Sequence, residues 1–396
     1  MKKVLYIDGV GVFGGACRSL FENIKILKDK EVDPYFIIQK GSILKYYGLL
    51  SKNIISVLGI SRFDNTKYSY YKGLRWLILI RELFFVPFTL YAFIKAKVKW
   101  REFDVIHINE LTEVLPIIFS RLFFKAPIVV HCRSLYHNDS RSFRNKIIKT
   151  IIKRNVSCLI AIDKNVYNSI PKVVKSTIIN NSYLPITKSY KKTKKANTNS
   201  IVIGYAGSLS KMKGIYELIE CFKLLKEENL EIKLLVAGDI PKKYNPFTEL
   251  ILKKLKLINQ KKLEDFKNLV KEYGIENNVS FLGNIENVSN FYKQIDVIIF
   301  PTHLDAPGRP IIEAAYFGIP SIVTVKNPQN DTLIHGVTGI AIPTNEPNAL
   351  KINIIKMYDD LKYLKTLGHN AYKLYLKNFN PKINSNELLK IYENVK

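Results

Sequence analysis

Short apolar runs alternate with longer amphipathic stretches along this chain of 396 residues. Seven runs in the first half have the length and the branched or aromatic side chains of buried strands: VLYID, YFIIQ, NIISVLG, DVIHIN, PIVVHC, CLIAI and STIIN. Helical stretches separate most of them. Strands that alternate with helices in this way predict a parallel sheet built from β-α units.

A polar, lysine-rich segment, residues 188–200 (KSYKKTKKANTNS), interrupts this alternation and is typical of a linker. After it come six further strand-like runs: IVIGYAG, IKLLVAGD, VSFLG, DVIIFP, PSIVTV and GIAIP. The sequence therefore predicts two doubly wound α/β domains, residues 1–187 and 201–370. The last helical stretches have no strand after Pro343 to cover, so we expect residues 371–396 to be helical and one helix to cross back to the first domain.

Composition excludes a disordered or collagen-like protein, because 47% of the residues are hydrophobic and 24% are charged. The net charge of +27 is uneven: residues 1–200 carry 35 basic and 13 acidic side chains (+22), and residues 201–396 carry 26 and 21 (+5). The first half therefore favours an anionic partner, whether membrane headgroups, nucleic acid or an acidic glycan. Composition bias is the alternative, since lysine outnumbers arginine by 50 to 11, but it explains the asymmetry poorly.

The cysteines and histidines indicate a reducing compartment and no structural zinc, because neither residue type shows ligand spacing. The four cysteines lie far apart: Cys17, Cys132, Cys158 and Cys221. Lys2 and Lys3 lead directly into a strand-like run, so we expect no secretory signal.

One hydrophobic stretch bears on membrane contact. Its longest uncharged run, Leu83 to Ile94, has 12 residues and contains Pro87, which we expect to be too short to span a bilayer. The wider segment, Leu74 to Trp100, combines seven aromatic with five basic side chains. Such a helix can lie in a membrane interface. The alternative is a core-facing helix with a solvated edge.

The loop after the first predicted strand, Asp8 to Gly15, contains the spacing G-x-G-x-x-G. This spacing occurs in dinucleotide-binding sites, which also need an acidic residue after the second strand. That position is occupied here by Gln39 and Lys40, so an NAD enzyme is disfavoured. Gly14 and Gly15 still permit a close backbone approach and leave helix amides for an anion, so we expect them to contact a ligand.

The first strand of the second half ends in a turn of composition GYAGSLSKMKG, residues 204–214. Gly207 and Ser208 lie at this strand-to-helix turn, and Lys213 follows Gly207 by six positions. Glycines and a lysine in this arrangement form a plausible phosphate cradle, although one lysine among fifty is a weak signal.

Two carboxylates, Asp305 and Glu313, lie eight positions apart around a Gly-Arg-Pro helix start. Pro310 suits the first helical turn, and Glu313 lies one turn further on, with its side chain directed back toward the N-terminus. Free amides and the positive end of the helix dipole would then lie between two acids, where a diphosphate with hydroxylated sugars fits. The helix-start residues expected to contact this ligand are Gly308, Arg309 and Ile311. The alternative is that Glu313 caps the helix and Asp305 only shapes the loop.

Arg309 is the only arginine after Arg154, although 25 lysines lie in the second half. Arginine binds phosphate or carboxylate with two parallel hydrogen bonds, which lysine cannot reproduce. We therefore expect Arg309 to bind an anionic group.

These residues resemble the group 1, family-four retaining glycosyltransferases, whose two Rossmann-like domains facing a cleft are called the GT-B fold. Their Glu-x7-Glu motif falls on Asp305 and Glu313, and their G-R-L-x-x-x-K-G element falls on residues 207–214. Further matches lie in LVAGD, VSFLGNI, DVIIFPT and EAAYFGIPSIV, and in the first domain in Gly14-Gly15-Ala16 and the strand ending in His131.

The resemblance implies a role for each matched residue. Glu313 would hold the ribose hydroxyls, and Asp305 with the following amides would hold the donor sugar. Lys213 would compensate the charge of the diphosphate, and His131 would line the sugar pocket, unless it is a hydrogen-bonded core histidine. No metal or other cofactor is implied, because protein cations and helix dipoles take that role.

Three departures from the family pattern stand in this sequence: Asp305 replaces the usual Glu, Ser208 replaces an arginine, and Pro310 removes a backbone N–H. Our hypothesis is that Arg309 takes over the task of the missing arginine.

The resemblance implies transfer of a sugar from a nucleotide-diphosphate donor to an acceptor hydroxyl with retention at the anomeric carbon, in surface polysaccharide or lipid-linked glycan assembly. The basic first domain would bind the acceptor, with peripheral contact to the inner face of the membrane from the cytoplasm. Four side chains are candidates for the acceptor phosphates, or else form a solvated helix edge: Arg133, His137, Arg141 and Arg144.

Two other classes of function remain open. The first is a nucleotide-sugar epimerase of the same fold, which would change the sugar without an acceptor. The second is a non-catalytic protein that binds polyanions; it would explain the charge but not residues 305–313, and no RNA-binding or recognition-helix motif appears, so we expect no nucleic acid partner.

Overall fold

The computed structural model describes residues 1–28, 31–139, 141–185, 200–240, 263–285 and 287–396. The chain forms two compact units. The first consists of residues 1–184 and 378–396, and the second of residues 185–377. All but the last residue of the predicted linker, 188–200, lies outside the described residues.

The first unit contains a parallel sheet of seven strands. They are β1 (Lys2–Asp8), β2 (Val32–Gln39), β3 (Ile54–Val57), β4 (Val105–Ile108), β5 (Ile128–Cys132), β6 (Cys158–Ala161) and β7 (Lys175–Ile178). Their order across the sheet is β3-β2-β1-β4-β5-β6-β7. The order reverses between β1 and β4, so the loops after these two strands flank the point where ligands bind in doubly wound sheets.

Helices cover both faces of this sheet. They are α1 (Gly15–Leu27), α2 (Ile43–Tyr47), α3 (Ile78–Trp100), α4 (Val114–Phe123), α5 (Phe143–Asn155) and α6 (Lys164–Ser169). Successive residues of β1 enter different cores, because side chains alternate across a strand. Leu5 and Ile7 pack with α3 and α4, whereas Val4 and Tyr6 pack with α1. Burial on both faces explains why the strands are nearly continuous apolar runs.

The second unit contains a parallel sheet of six strands. They are β8 (Ile201–Ala206), β9 (Ile232–Ala237), β10 (Val279–Gly283), β11 (Val297–Phe300), β12 (Ser321–Thr324) and β13 (Gly339–Ile342). The order is β10-β9-β8-β11-β12-β13, with the reversal between β8 and β11. The described helices are α7 (Ile215–Lys226), α8 (Leu263–Glu272), α9 (Val288–Tyr292), α10 (Arg309–Tyr316), α11 (Pro347–Asp359) and α12 (Leu361–Leu374). Two doubly wound α/β domains, as the sequence predicts, are confirmed.

The C-terminal helix, α13 (Pro381–Asn394), belongs to the first unit, where it packs on α1. The Tyr392 hydroxyl lies 2.6 Å from Nδ1 of His107, and the Asn384 side chain donates to the carbonyl of Asn180 at 2.8 Å. Helix α12 stays in the second unit, so the chain enters the first unit at residue 378 rather than at the expected 371.

Helix α3 is more exposed than a core helix. Together with a preceding 3₁₀ turn it forms a segment, Arg75–Trp100, that by length and composition could cross a membrane, and only 22% of its most apolar window is buried. The expectation that this stretch is too short to span a bilayer is therefore wrong by length, because the apolar helix continues on both sides of the uncharged 12-residue run. Ala92, Phe93 and Ala96 pack into the first core, while Leu83 and Val98 face outward. The helix is thus anchored on one face and apolar on the other.

Candidate active site

The candidate residues of the second unit follow β8 and β11, the two strands between which the sheet order reverses. Lys213 lies in the 3₁₀ turn after β8, and Asp305, Arg309 and Glu313 follow β11. Carboxyl ends of adjacent parallel strands share one edge of the sheet. The fold therefore brings together the two motifs that the sequence places 100 residues apart.

Gly214 sets the position of Lys213. Its φ of 72° is left-handed, and a Cβ there would lie 1.7 Å from the carbonyl oxygen of Pro301, so no other residue fits without a backbone shift. This approach holds the turn against the loop after β11, and Nζ of Lys213 lies 5.1 Å from the centre of the Phe300 ring. Among the described residues no charged neighbour contributes, and burial alone lowers the pKa of the Lys213 ammonium. Such a cation favours an anionic ligand.

Hydrogen bonds hold the loop after β11 to the turn after β8. The N–H of His303 donates to the carbonyl of Met212 at 3.1 Å, and Nε2 of His303 lies 2.9 Å from a carboxylate oxygen of Glu217 on α7. The hydroxyl of Thr324 donates to the carbonyl of Thr302. These hydrogen bonds fix the backbone that carries the candidate site.

Asp305 adopts a left-handed φ of 48°, which is uncommon outside glycine, asparagine and aspartate. One of its carboxylate oxygens accepts the N–H of Lys326 at 2.9 Å and so ties this loop to the chain after β12. Asp305 therefore shapes the loop, as the alternative in the sequence allows. Its contact with a donor sugar remains a prediction.

Glu313 and Arg309 form an ion pair within α10: Nε of Arg309 donates to one Glu313 oxygen at 2.7 Å, and the Tyr292 hydroxyl donates to the other at 2.9 Å. Both side chains are largely buried, with 11% and 7% of the arginine and glutamate side chains exposed. Glu313 does not cap the helix, since the N-cap residue is Gly308 and Glu313 lies beyond the first turn. The sequence treats Arg309 and Glu313 as separate ligands, whereas the structure couples them. Tyr292 was missed because no sequence signal links α9 to α10.

The backbone around the predicted phosphate site is partly engaged. The N–H of Ile311 donates to the carbonyl of Gly308 at 3.3 Å, and that of Gly207 donates to the carbonyl of Ala237 at 3.0 Å. A Cβ at Gly308 would lie 2.4 Å from the Phe300 ring, so glycine lets this helix start approach Phe300. The hydroxyl of Ser208 lies 3.4 Å from that of Ser210. Donor contacts of these residues remain predictions.

His131 lies on β5 in the first unit and is 1% exposed. Burial, followed by the charge of Arg133, holds the pKa of its imidazole well below the ordinary range, so the ring is neutral at physiological pH. A hydrogen bond with the backbone of Ile179 opposes this shift in part. His131 is thus a buried, neutral histidine, and its place in a sugar pocket remains a prediction.

A buried polar network lies where β1, β4 and β5 end in the first unit. Asp8 accepts from the Asn109 side chain at 2.7 Å and from the Tyr47 hydroxyl at 2.9 Å. Nε and one terminal nitrogen of Arg133 donate to Asn109 at 3.1 and 2.9 Å. Burial lowers the pKa of the Arg133 guanidinium to about 10. Arg133, expected as an acceptor ligand, thus also orients this network.

The other candidate acceptor residues lie apart from that network. His137 stacks on the Tyr70 ring with 3.8 Å between ring centres, and the Arg144 guanidinium lies 5.3 Å from the same ring. Arg144 also donates to the carbonyl of Tyr71 at 3.0 Å. Arg141 is exposed, and its N–H donates to Asp139. The four candidates do not share a solvated helix edge. Arg133, His137 and Arg144 have partners inside the first unit, and only the side chain of Arg141 is exposed.

Glu113, which the sequence did not single out, is fully buried beside this network. One of its oxygens accepts the N–H of Gly9 at 2.6 Å, and the other has no hydrogen-bond partner among the described residues. Burial, with the nearby charge of Asp8, holds the pKa of the Glu113 carboxyl well above its ordinary range. The protonated acid is therefore the form that the fold favours.

The pH dependence of stability tests this assignment. A raised pKa in the folded state means that Glu113 contributes stability at low pH, which is lost as the pH rises through that pKa. We expect the Tm of the parent to fall between pH 5 and pH 9, and that of Glu113→Gln to fall less, measured by calorimetry. Exposed Glu31→Gln serves as the control and should follow the parent. A Glu113→Gln variant less stable than the parent at pH 8 would mean that the carboxylate is ionised, against this prediction.

No three His, Cys, Asp or Glu side chains come together as potential metal ligands within the described ranges. The four cysteines are buried and free. Arg133 lines a polar cavity of about 540 Å³ that also reaches Ala16, beside the glycine-rich loop after β1.

Comparison with known proteins adds to this geometry. The protein-family model for group 1 glycosyl transferases matches residues 187–374. The chain is 27% identical over 380 residues to the capsular polysaccharide biosynthesis glycosyltransferase CapM of Staphylococcus aureus, covering 93% of this chain and 92% of CapM. It is 25% identical over 242 residues to the O-antigen biosynthesis glycosyltransferase WclY of Escherichia coli, covering 57% of this chain and 62% of WclY.

Solved structures share the fold. HepE of Anabaena, crystallised with UDP and glucose, superposes with a TM-score of 0.70 at 18% identity over the whole of both chains. TarM of S. aureus, in a complex that contains UDP, superposes with a TM-score of 0.69 at 12% identity over 99% of this chain and 100% of TarM.

Proposed function

We propose that this chain is a group 1 glycosyltransferase, as the family match over residues 187–374 and the similarity to CapM support, and that it transfers a sugar from a UDP-sugar donor to a hydroxyl of a surface polysaccharide or lipid-linked glycan acceptor, with retention at the anomeric carbon. The names of CapM and WclY support the polysaccharide, and the UDP in the HepE and TarM complexes supports the donor nucleotide. The structural observation that carries the proposal is the partly buried Lys213 cation over the Phe300 ring, at the end of the strand whose following loop leads into the helix of the Arg309–Glu313 pair.

The site residues divide the work as follows. Lys213 and the Arg309 guanidinium neutralise the diphosphate, which gains charge as the bond between the sugar C1 and the phosphate oxygen breaks. Glu313, oriented by Arg309 and Tyr292, accepts from the ribose hydroxyls. Asp305 binds hydroxyls of the donor sugar. The new bond joins C1 to the acceptor oxygen, whose proton passes to the departing phosphate on the same face.

Metal independence and location follow from the same chemistry. Two protein cations supply the positive charge that a divalent ion supplies in other nucleotide sites. A nucleotide-sugar donor, together with the basic first unit, favours activity at the cytoplasmic face of a membrane. Both statements are part of the proposal.

A thermal-shift panel of UDP, GDP, ADP and TDP tests the donor. At a concentration 100 times its Kd, a ligand that binds only the folded state stabilises it by about 2.7 kcal/mol. We expect UDP to raise the Tm the most and to compete with a UDP-sugar. If no nucleoside diphosphate raises the Tm, the proposal is wrong.

The chemistry is tested separately. UDP-glucose, UDP-galactose and their N-acetyl forms are incubated with and without a glycan acceptor, and NMR follows the products. Transfer with the donor's anomeric configuration supports the proposal. Release of an epimerised sugar nucleotide without acceptor would instead support the epimerase alternative.

A further inference from the structure

An apolar groove of about 770 Å³ lies in the first unit between helices α3, α4 and α5. Aliphatic and aromatic side chains from all three helices and the turn before α3 line it, among them Trp76, Leu79, Leu83, Ile118, Ile147 and Ile151. Its size is that of a site for an organic ligand rather than a packing defect. Leu83 and Ile147 are exposed, so the groove opens to the surface.

The groove adjoins the polar cavity of about 540 Å³ described above. Three residues, Arg62, Tyr71 and Glu82, line both. One molecule with an apolar tail and a polar head can therefore occupy the two together.

Arginine is concentrated at this junction. The polar cavity is lined by four arginines, Arg62, Arg75, Arg81 and Arg133, and the groove adds Arg144. These are five of the eleven arginines in the chain, whereas none of the fifty lysines is among the described residues that line either space. The composition bias of the chain does not explain this enrichment of arginine, because that bias favours lysine. Arginine is the residue that binds phosphate through paired hydrogen bonds.

The charges do not cancel within the cavity. Its carboxylates are Asp64, Glu82 and Glu110. Glu82 pairs with Arg81, and burial raises the pKa of the Glu110 carboxyl, which favours its neutral form. In the described part of the chain no carboxylate lies within 4.0 Å of the half-buried Arg62 guanidinium. The junction is therefore cationic and suited to an anion.

We propose that the groove and the polar cavity together bind a long-chain lipid phosphate or diphosphate, with its hydrocarbon between α3, α4 and α5 and its phosphate at Arg62. That this lipid carries the sugar acceptor rests on the proposed function; that it binds does not. The exposed apolar face of α3 then lies at the membrane surface from which such a lipid enters.

Tryptophan fluorescence measures the binding directly. Trp76 lines the groove and is 46% exposed, whereas Trp100, the second tryptophan, is 6% exposed. Octyl, decyl and dodecyl phosphate, each below its micelle concentration, should shift the emission to shorter wavelength. We expect the affinity to rise about fourfold per methylene, because each buried CH₂ contributes about 0.8 kcal/mol, and to level off when the groove is full. Trp76→Phe should abolish the signal.

Three variants and one control test where the hydrocarbon tail and the phosphate head of the ligand bind. Leu79→Asp should prevent binding, whereas Ile80→Asp, an adjacent exposed position outside the groove lining, should leave it unchanged. Ile147→Trp fills part of the groove without adding charge. In this variant the affinity should stop rising at a shorter alkyl chain than in the parent. Arg62→Ala should weaken dodecyl phosphate about 10- to 100-fold, because a hydrogen bond to a charged group contributes about 1.5–3 kcal/mol, and leave dodecanol unaffected.

The outcomes separate this inference from the proposed function. One set of results would overturn the inference in favour of a general membrane-binding surface. In that case Leu79→Asp and Ile80→Asp have equal effects, the protein binds phosphatidylglycerol vesicles, and the affinity for alkyl phosphates does not depend on chain length. Absence of alkyl phosphate binding in a protein whose Tm UDP still raises would overturn the inference alone. If alkyl phosphates bind but no nucleoside diphosphate raises the Tm, the inference is supported and the proposed function is wrong.

Discussion

Lys213→Ala is expected to lower kcat/KM by about 100- to 1000-fold, the loss found when one preorganised stabiliser of transition-state charge is removed. In the proposed site the diphosphate gains negative charge as the sugar leaves, and the ammonium next to Phe300 would neutralise it. The loss should fall mainly on kcat, since the interaction strengthens in the transition state. Steady-state kinetics with a UDP-sugar and a glycan acceptor measures it.

The same substitution is expected not to destabilise the free protein. Burial lowers the pKa of the Lys213 ammonium, which means that folding disfavours the charged form. Alanine removes this cost, so the Tm without ligand should stay the same or rise, while the rise in Tm with UDP should shrink. Stability and activity thus move in opposite directions, as they do where a strained group is kept for function.

Lys211→Ala is the matched control, because Lys211 lies in the same 3₁₀ turn but is exposed. It should retain activity within about twofold, since surface substitutions usually have small effects. A Lys213→Ala variant with the kinetics of Lys211→Ala would show that this cation does not face the diphosphate.

The two sheets could be predicted from the sequence because their strands are buried on both faces. All thirteen strand-like runs correspond to strands of the structure, from VLYID in β1 to GIAIP in β13. Continuous apolar runs between amphipathic helices leave few alternatives in a doubly wound fold. The position of Pro310 in the first turn of α10 followed from its fixed φ in the same way.

Long-range pairing of polar side chains could not be predicted. The bond from Tyr292 to Glu313 and the network of Asp8, Asn109 and Arg133 depend on which loops the sheet order brings together. Glu113 became visible only through its burial, because an acid near a helix start is ordinarily solvated. The crossing to the first unit at residue 378 rather than 371 reflects α12 packing to its end on the second unit.

Glu313→Ala is expected to be the most damaging single change in the second unit. Removing one partner of a buried, hydrogen-bonded ion pair costs about 3 to 5 kcal/mol. The second unit spans residues 185–377, and for a domain of this size each kcal/mol lowers the Tm by about 2–4 °C. We therefore expect the Tm to fall by roughly 6 to 20 °C, together with loss of UDP binding measured by calorimetry at a temperature where the variant is folded.

A double-mutant cycle with Arg309 separates the two losses. In Arg309→Ala/Glu313→Ala both members of the pair are removed, so the double variant should be more stable than the sum of the single effects predicts, with a coupling of about 0.5–3 kcal/mol. Tyr292→Phe should cost only about 0.5–1.5 kcal/mol, because it removes the hydroxyl that donates to Glu313 and retains the stacked ring.

Recovery of stability without recovery of UDP binding is the result that assigns the Arg309–Glu313 pair to the nucleotide. A structural role alone predicts that the double variant regains both, because the fold around α10 is restored when both members of the pair are removed. Contact of the pair with the nucleotide predicts that it regains only the first, because both proposed ligands are then absent. UDP affinity in the double variant close to that of the parent would therefore contradict the proposed site at its central residue.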